Sequence, residues 1–334
     1  MTAAGANARF YLALSLLGGV YVVLILAMLL ADMSFVWERP GLFLEALQSR
    51  DIRYAIRLSL ISCFVTTILC LWVAVPLGYL LSRTRFLGRP IVDTIVDVPV
   101  VLPPLVVGIS LLILFQTQPG KWIEETMATQ MGFLLTYIVV SSVAAVCVSL
   151  LLRQLAGWKS VFPVFLLAAI VVTSVLALTA VGPWMDRHLQ ARFGTRVTFQ
   201  IPSVILAQFA VSCAFAVRTM RVTFDQISPR TEQVALTLGC TRSQALWMVT
   251  IPEAWRGIVS AGTIAWARSL GEFGPILIFA GATRMRTEVL STTVWLEFSI
   301  GRLEPALAVS LLMVVVAVIV LLLMRTFGLR GGVA

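Results

Sequence analysis

Eight long apolar stretches dominate this chain and restrict what it can fold into. They cover residues 10–31, 54–81, 97–116, 133–152, 161–181, 201–217, 257–282 and 305–324. A helix needs about 20 mainly apolar residues to cross a bilayer. Hydrophobic residues make up 59% of the chain and charged residues only 12%, which is more apolar surface than a soluble globule can hide. We therefore predict an all-α integral membrane protein, a single membrane domain over 1–334 with about eight transmembrane helices.

The basic residues indicate how these helices are oriented. An even number of crossings leaves both termini on one side of the membrane. The three polar loops richest in arginine, 82–90, 153–159 and 218–256, lie on that side, and such loops are typical of the cytoplasmic side. We expect a multi-pass protein of the cell inner (cytoplasmic) membrane with both termini in the cytoplasm. The net charge of +9 fits contact with membrane lipid and not with nucleic acid, because no basic stretch alternates with aromatic residues.

Two of the apolar stretches carry residues that interrupt a helix. The third contains Pro99, Pro103 and Pro104, so its first turns must bend or break. The seventh contains charged residues, glycines and Pro275. We predict that it is kinked or discontinuous there.

The charges within the seventh stretch need a physical account. Arg268 and Glu272 lie about 17 and 22 Å along a helix that starts near residue 257, where charges are costly unless they pair or face water. They are four residues apart, so they share one helix face and can neutralise each other. Two interpretations stay open: Arg268 lines a path for a passing anion, or the pair stabilises a kinked helix. Gly271 and Gly274 favour close helix packing over ligand contact.

The longest polar segment lies between the sixth and seventh stretches, at residues 218–256. Its pattern predicts two short helices, 230–238 and 241–249, with Gly239 between them in the left-handed turn that ends many helices. Thr241 can cap the second helix. Apolar residues give this hairpin one side that must dock on something: Leu236, Leu238, Ala245, Leu246 and Val249.

The hairpin sequence resembles the EAA loop of ABC importer permeases. The spacing of its glutamate, small residue, glycine and proline matches that motif, although Gln233 and Val234 stand where small or acidic residues are preferred. The resemblance implies a coupling helix–turn–helix that rests in a groove of a separate cytoplasmic ATPase subunit. The residues that it assigns to coupling are Glu232, Ala235, Leu238, Gly239, Thr241 and Pro252.

A second resemblance concerns the substrate. Residues 267–274 resemble a signature of permeases for molybdate, tungstate and, more loosely, sulfate, and segment 97–108 is similar to another stretch of that group. The implied architecture is a type I ABC importer permease-like core over 54–116 and 201–324. The implied partners are a second permease copy, giving a homodimer, and a periplasmic or lipid-anchored oxyanion-binding protein. The implied translocation path comprises Arg268, Ser269, Gly271, Glu272, Phe273 and Gly274.

Residues 117–200 depart from that family pattern. They form an inserted segment with two extra apolar stretches, and an even number of added crossings leaves the later topology unchanged. Lipid packing and an accessory contact are equal alternatives for its role.

Several chemical functions lack their motifs in this sequence. No phosphate-binding loop is present, so any ATP is bound by a partner subunit and no cofactor is expected in this chain. A lone His188 and five cysteines without a CxxC pair indicate no metal site. We predict that the chain is not an enzyme. The alternatives are an ion-coupled secondary transporter that uses Glu272 within the membrane, or a scaffold that transports nothing.

Overall fold

The computed structural model describes residues 3–38, 41, 48–124 and 197–329, and within these ranges it contains helices and no strand. The helices are α1 (Ala3–Glu38), α2 (Arg50–Arg83), α3 (Arg89–Val101), α4 (Pro104–Gln116), α5 (Ile201–Gln226), α6 (Pro229–Thr237), α7 (Arg242–Ala245), α8 (Trp255–Leu270), α9 (Leu290–Ser299) and α10 (Leu303–Leu329). Two π-helical segments are Leu246–Thr250, which follows α7 and continues into the short turn Ile251–Glu253, and Ile276–Ala280. The prediction of an all-helical fold is confirmed for this part of the chain.

The described residues account for only part of the predicted crossings. Helices α2 and α5 and the Leu303–Leu322 part of α10 are long and apolar enough to cross a membrane, and α3 with α4 adds a fourth crossing if the pair is one span. The stretches 133–152 and 161–181 of the predicted insert lie outside the described residues. The predicted number of eight is therefore not confirmed.

Both predicted interruptions are present. Helix α3 ends at Val101 and α4 begins at Pro104, where a proline costs no hydrogen bond because the first N–H groups of a helix have no partner within it. Helix α8 ends at Leu270, and helical structure resumes at Gly274, directly before the Ile276–Ala280 segment.

The boundary of the long polar segment differs from the prediction. Helix α5 continues to Gln226, so the loop expected from residue 218 begins after that residue. Two arginines in the added turns are paired with acids: Arg218 lies 3.2 Å from Asp97, and Arg221 lies 2.6 Å from Asp93. Paired charges can remain in a helix near the membrane, whereas the sequence pattern alone placed them in a loop.

The chain forms two compact units. The first contains the described parts of 1–101, 208–273 and 282–334, and the second those of 102–207 and 274–281. In the second unit, α4 packs on the Ile276–Ala280 segment. The rings of Phe115 and Phe279 lie 5.1 Å apart, and a Cβ added to Gly108 would lie 2.8 Å from the Cα of Pro275.

Small side chains let α2, α5 and α8 pack closely in the first unit, as is common between membrane helices. A Cβ added to Gly78 on α2 would lie 2.8 Å from the Cβ of Met220 on α5. A Cβ added to Gly257 on α8 would overlap the Thr223 side chain of α5 and lie 2.6 Å from its Cβ. The buried residues of this contact include Cys70, Ala74, Ala216, Ala261 and Ala265.

We expect Gly257→Leu to lower the free energy of unfolding by about 1–3 kcal/mol, the usual cost of overpacking. Rotation of the Thr223 side chain cannot relieve the overlap, because the Cβ of Thr223 is itself too close. Thermal unfolding of the detergent-solubilised protein measures the change. Gly271→Ala is the control, since its Cβ would meet nothing closer than 3.8 Å. Equal stability of the two variants would contradict the close contact between α5 and α8.

Candidate functional site

The predicted hairpin is present and spans residues 228–254; we call this segment the hairpin. Ser228 caps α6 by accepting a hydrogen bond from the Arg230 amide. Helix α6 ends at Thr237 and is followed by Leu238 and Gly239. Gly239 has a φ of 90°, and the amide of Cys240 donates to the carbonyl of Ala235 at 3.1 Å. This left-handed turn is the helix ending that glycine favours.

Thr241 begins the second helix through a capping box. The Thr241 amide donates to Gln244 Oε1 at 2.8 Å, and the Gln244 amide donates to Thr241 Oγ1 at 3.3 Å. The two orphan amides of the helix start are thus satisfied reciprocally. The helix continues through the Leu246–Thr250 segment, and Pro252 lies in the turn that ends it.

The apolar residues of the hairpin are divided between two sides. Ala235 and Ala245 are buried, in the part of the hairpin where its two helices pack on each other. Leu238 is 80% exposed. Three further apolar residues of the hairpin, Val234, Trp247 and Met248, are each more than half exposed. We call Val234, Leu238, Trp247 and Met248 the outward apolar residues.

Glu232 connects the hairpin to the end of α2. The Tyr79 hydroxyl donates a hydrogen bond to Glu232 Oε1, and Arg83 Nε lies 3.6 Å from Glu232 Oε2. A terminal nitrogen of Arg83 also donates to the Ile227 carbonyl at 2.8 Å. No local sequence pattern pointed to Tyr79 or Arg83, because they precede Glu232 by about 150 residues.

A cavity of about 420 Å³ lies beside Glu232. Besides Glu232, its lining includes Tyr79 and Arg83 of α2 and Leu236 and Arg242 of the hairpin. Leu236 and Leu246, predicted to share one docking side with Leu238, line this cavity instead.

Arg268 and Glu272 form the ion pair that their spacing predicts. The carboxylate side chain is 1% exposed, whereas the Arg268 side chain is 29% exposed and its guanidinium lies 5.8 Å from the ring centre of Phe215. The acid is therefore enclosed, and the arginine has open space beside it. The pair joins the last turn of α8 to Glu272, which lies just past the end of the helix, and the geometry is compatible with both sequence interpretations.

Side chains satisfy the backbone where α8 ends. The Gln208 amide nitrogen donates to the Ser269 carbonyl at 3.2 Å, and its oxygen accepts from Thr66 Oγ1 at 3.1 Å. The Ser291 hydroxyl donates to the Glu272 carbonyl at 2.7 Å. Broken helices are tolerated within a membrane when freed carbonyls find such partners. The sequence did not reveal Gln208 or Thr66, because they lie 142 residues apart on different helices.

Two other predicted path residues, Ser269 and Phe273, contact neighbouring residues of the first unit. Ser269 donates to the Ser212 hydroxyl at 2.9 Å or to the Ala265 carbonyl at 2.7 Å. The ring of Phe273 lies 6.2 Å from that of Trp295.

The two glycines of this region differ in their surroundings. In the second unit, a Cβ added to Gly274 would lie 3.0 Å from the Leu105 amide nitrogen, whereas one on Gly271 would meet only its own helix. The close-packing interpretation therefore applies to Gly274 and not to Gly271.

Among the described residues, no group of three or more His, Cys, Asp or Glu side chains could hold a metal ion. His188 lies outside them.

A second polar cluster lies at the opposite end of α2. Arg284 lies 2.5 Å from Glu297 and 3.5 Å from Asp51. Glu288, in the segment that connects to α9, is fully buried. Burial raises the pKa of its carboxyl group, although the hydroxyl of Thr293 and the charge of Arg284 oppose the shift.

We expect Glu288 to make stability depend on pH. A carboxyl whose pKa is higher in the folded than in the unfolded chain stabilises the fold fully below its ordinary value of about 4.3, and this contribution is lost as the pH rises through the folded pKa. The melting temperature of Glu288→Gln relative to the unaltered protein should therefore increase with pH. Glu253→Gln, which changes an exposed acid, is the control. If the difference in melting temperature between Glu288→Gln and the unaltered protein stays constant with pH, burial of an ionisable Glu288 is contradicted.

Comparison with known proteins places the chain in a family. A family described as "Binding-protein-dependent transport system inner membrane component" matches residues 74–330, which include the hairpin and the Arg268–Glu272 pair.

Individual relatives align over most of the chain. The sulfate transport system permease protein CysT of Escherichia coli (strain K12) is 25% identical over 307 residues, covering 92% of this chain and 86% of the relative. The molybdenum transport system permease protein ModB of Mycobacterium bovis (strain ATCC BAA-935 / AF2122/97) is 28% identical over 288 residues, covering 86% and 82%. A probable molybdenum ABC transporter permease protein, HVO_B0370 of Haloferax volcanii, is 27% identical over 270 residues, covering 81% and 73%. The chain belongs to the family of binding-protein-dependent transport system inner membrane components.

Proposed function

We propose that this chain is the transmembrane permease of an ATP-driven importer of a tetrahedral oxyanion. Molybdate or tungstate is the first candidate and sulfate the next. The substrate class rests on relatives named as sulfate and molybdenum permeases. The single observation that carries the transport mechanism is the outward apolar side of the hairpin, within the family match.

The hairpin is the coupling element on which a cytoplasmic ATPase subunit acts to move the membrane helices. Its outward apolar residues are costly to leave in water and are suited to a groove on a partner. Short rigid helices joined directly to α5 and α8 transmit a rigid-body displacement to both. Because no phosphate-binding loop occurs in this chain, the partner binds and hydrolyses the ATP.

The remaining partners follow from the same proposal. Two ATPase subunits require two hairpins, so the chain pairs with a second copy, and an external binding protein delivers the oxyanion. The core is of the type I ABC importer kind over 54–116 and 201–324, in the inner membrane, with both termini in the cytoplasm. The insert 117–200 is accessory to this core.

The translocation path passes Arg268. Its guanidinium has open space beside it and can offer paired N–H donors to an oxyanion, while the enclosed Glu272 holds it in place. We include Ser269, Gly271, Phe273 and Gly274 in the path segment. The ion-coupled alternative is not favoured, because Glu272 is already paired and enclosed and the relatives are named as permease proteins of transport systems.

The ATPase partner can be tested by changing the outward apolar residues. Leu238→Glu and Trp247→Glu should reduce co-purification of a co-expressed ABC ATPase subunit by at least roughly tenfold, because each places a charge in a desolvated contact. Ile300→Glu is the control: Ile300 is 54% exposed but follows α9, whose Glu297 pairs with Arg284 near Asp51 at the start of α2. Undiminished co-purification in both hairpin variants would contradict the proposal.

A further inference from the structure

We infer that Gln208 is a positioning residue of the translocation path. It holds the turn 269–272 in place, so that Glu272 orients the Arg268 guanidinium toward a passing oxyanion. This role rests on the proposed function, because it takes Arg268 as the residue that meets the substrate. Gln208 itself lies outside the hairpin and outside the segments 97–108 and 267–274 that resemble known permeases.

Gln208 is an enclosed polar side chain on a helix that is long and apolar enough to cross a membrane. It lies about 10 Å from the start of α5 at Ile201 and is 1% exposed. A buried amide is costly unless it is hydrogen-bonded, so its presence there needs a reason. Because the side chain is enclosed, it does not contact a passing ion, and any effect on transport must act through its neighbours.

The Gln208 amide bonds to two other helices of the first unit. Its nitrogen donates to the Ser269 carbonyl of α8 at 3.2 Å and lies 3.6 Å from Cys63 Sγ of α2. Its oxygen accepts from Thr66 Oγ1 of α2 at 3.1 Å. A carbonyl only accepts hydrogen bonds, so Ser269 determines which end of the amide faces it. The side chain is therefore held in one orientation between α2 and α8.

The Ser269 carbonyl connects Gln208 to the backbone of Glu272. Helix α8 ends at Leu270, and the Glu272 amide donates to the same Ser269 carbonyl at 3.3 Å. From the other direction, the Ser291 hydroxyl donates to the Glu272 carbonyl at 2.7 Å. The turn 269–272 is thus held from two sides, and Gln208 supplies one of them.

The position of this turn determines how Arg268 is presented. The Glu272 side chain is 1% exposed and pairs with Arg268, which is 29% exposed. A guanidinium offers its N–H donors in one rigid plane, so an oxyanion accepts paired hydrogen bonds only when that plane faces it. When Gln208 releases the Ser269 carbonyl, the turn and its carboxylate shift, and the guanidinium plane shifts with them.

Removal of the Gln208 amide is expected to reduce the molybdate taken up per ATP about tenfold, because a buried polar group loses its partner. Gln208→Met keeps the length of the side chain without its donor and acceptor. The measurement uses vesicles that contain the chain, the ATPase subunit and the oxyanion-binding protein. ATP hydrolysis should continue, since the hairpin is unaltered. A loss of folded protein would lower uptake and hydrolysis together, so it leaves their ratio unchanged.

A milder variant and its matched control test the same network. Thr66→Val removes the hydroxyl that holds the Gln208 oxygen and should lower uptake per ATP about threefold. Thr263→Val is the control, because the Thr263 hydroxyl donates at 2.8 Å to the Val259 carbonyl of its own helix, α8. The control should leave uptake per ATP unchanged. An equal decrease in Thr66→Val and Thr263→Val would overturn the inference.

A second background shows whether Gln208 acts through the guanidinium. Arg268→Lys replaces the rigid plane by an ammonium group whose donors rotate. Adding Gln208→Met to it should lower uptake per ATP by no more than about twofold further, because residues that act through one interaction are not additive. A tenfold decrease in both backgrounds would overturn the inference, as would an unchanged ratio in Gln208→Met alone. Absence of ATP-driven uptake by the unaltered chain would instead refute the proposed function.

Discussion

Gly239→Val is expected to reduce ATP-driven uptake to background while the protein still inserts into the membrane. A residue with a β-branched side chain strongly disfavours the φ of 90° that Gly239 adopts, and left-handed backbone costs about 1–2 kcal/mol for residues with a Cβ. The chain avoids this cost by changing the turn, and the second helix of the hairpin then points elsewhere. The outward apolar residues would no longer form one surface for the ATPase subunit.

A matched variant isolates the backbone effect. A Cβ on Gly239 would have nothing within 4 Å, so steric overlap plays no part. Asparagine tolerates left-handed backbone better than other residues with a side chain, and Gly239→Asn should therefore keep most of the uptake. Equal uptake by the valine and asparagine variants, measured with labelled molybdate in vesicles, would show that the turn at Gly239 does not control coupling.

Arg268→Ala is expected to have the second large effect, because it removes the counter-ion of an enclosed carboxylate. Breaking a buried ion pair from one side costs about 3–5 kcal/mol, so both the amount of folded protein and uptake should fall. The same losses are expected whether Arg268 lines the translocation path or only stabilises Glu272.

Removing both charges separates these roles. Replacing a buried pair by apolar residues of similar size is often neutral for stability, so Arg268→Met with Glu272→Leu should restore the folded amount. Uptake should stay at background, because the proposed path then lacks its guanidinium. Arg268→Lys with Glu272 intact keeps the charge and should retain part of the uptake. Normal uptake by the double variant would assign the pair a purely structural role.

The sequence predicted the hairpin well because its signals are local. The turn at Gly239 and the Thr241 capping box each depend on residues within a few positions of one another. The breaks at Pro104 and before Pro275 are local for the same reason. The Arg268–Glu272 pair was predictable because the two residues are only four apart, although Glu272 lies just past the end of α8.

Contacts between distant segments were not predictable from these patterns. Tyr79 and Thr66 look like ordinary residues of an apolar helix, and only the fold brings them to Glu232 and Gln208. The end of α5 was misplaced because Arg218 resembles a loop residue until its partner Asp97 is known. We predicted one shared apolar side for Leu236 and Leu238 because the two residues are equally apolar. In the structure, Leu236 lines the cavity and Leu238 is exposed.

The most direct test of the account is uptake of labelled molybdate by vesicles that contain this chain with or without its ATPase subunit. We expect labelled molybdate to accumulate only when the ATPase subunit, the oxyanion-binding protein and ATP are all present. We expect none to accumulate under a proton or sodium gradient alone. Uptake by the chain alone, driven by an ion gradient without nucleotide, would contradict the proposal that the hairpin is moved by a separate ATPase.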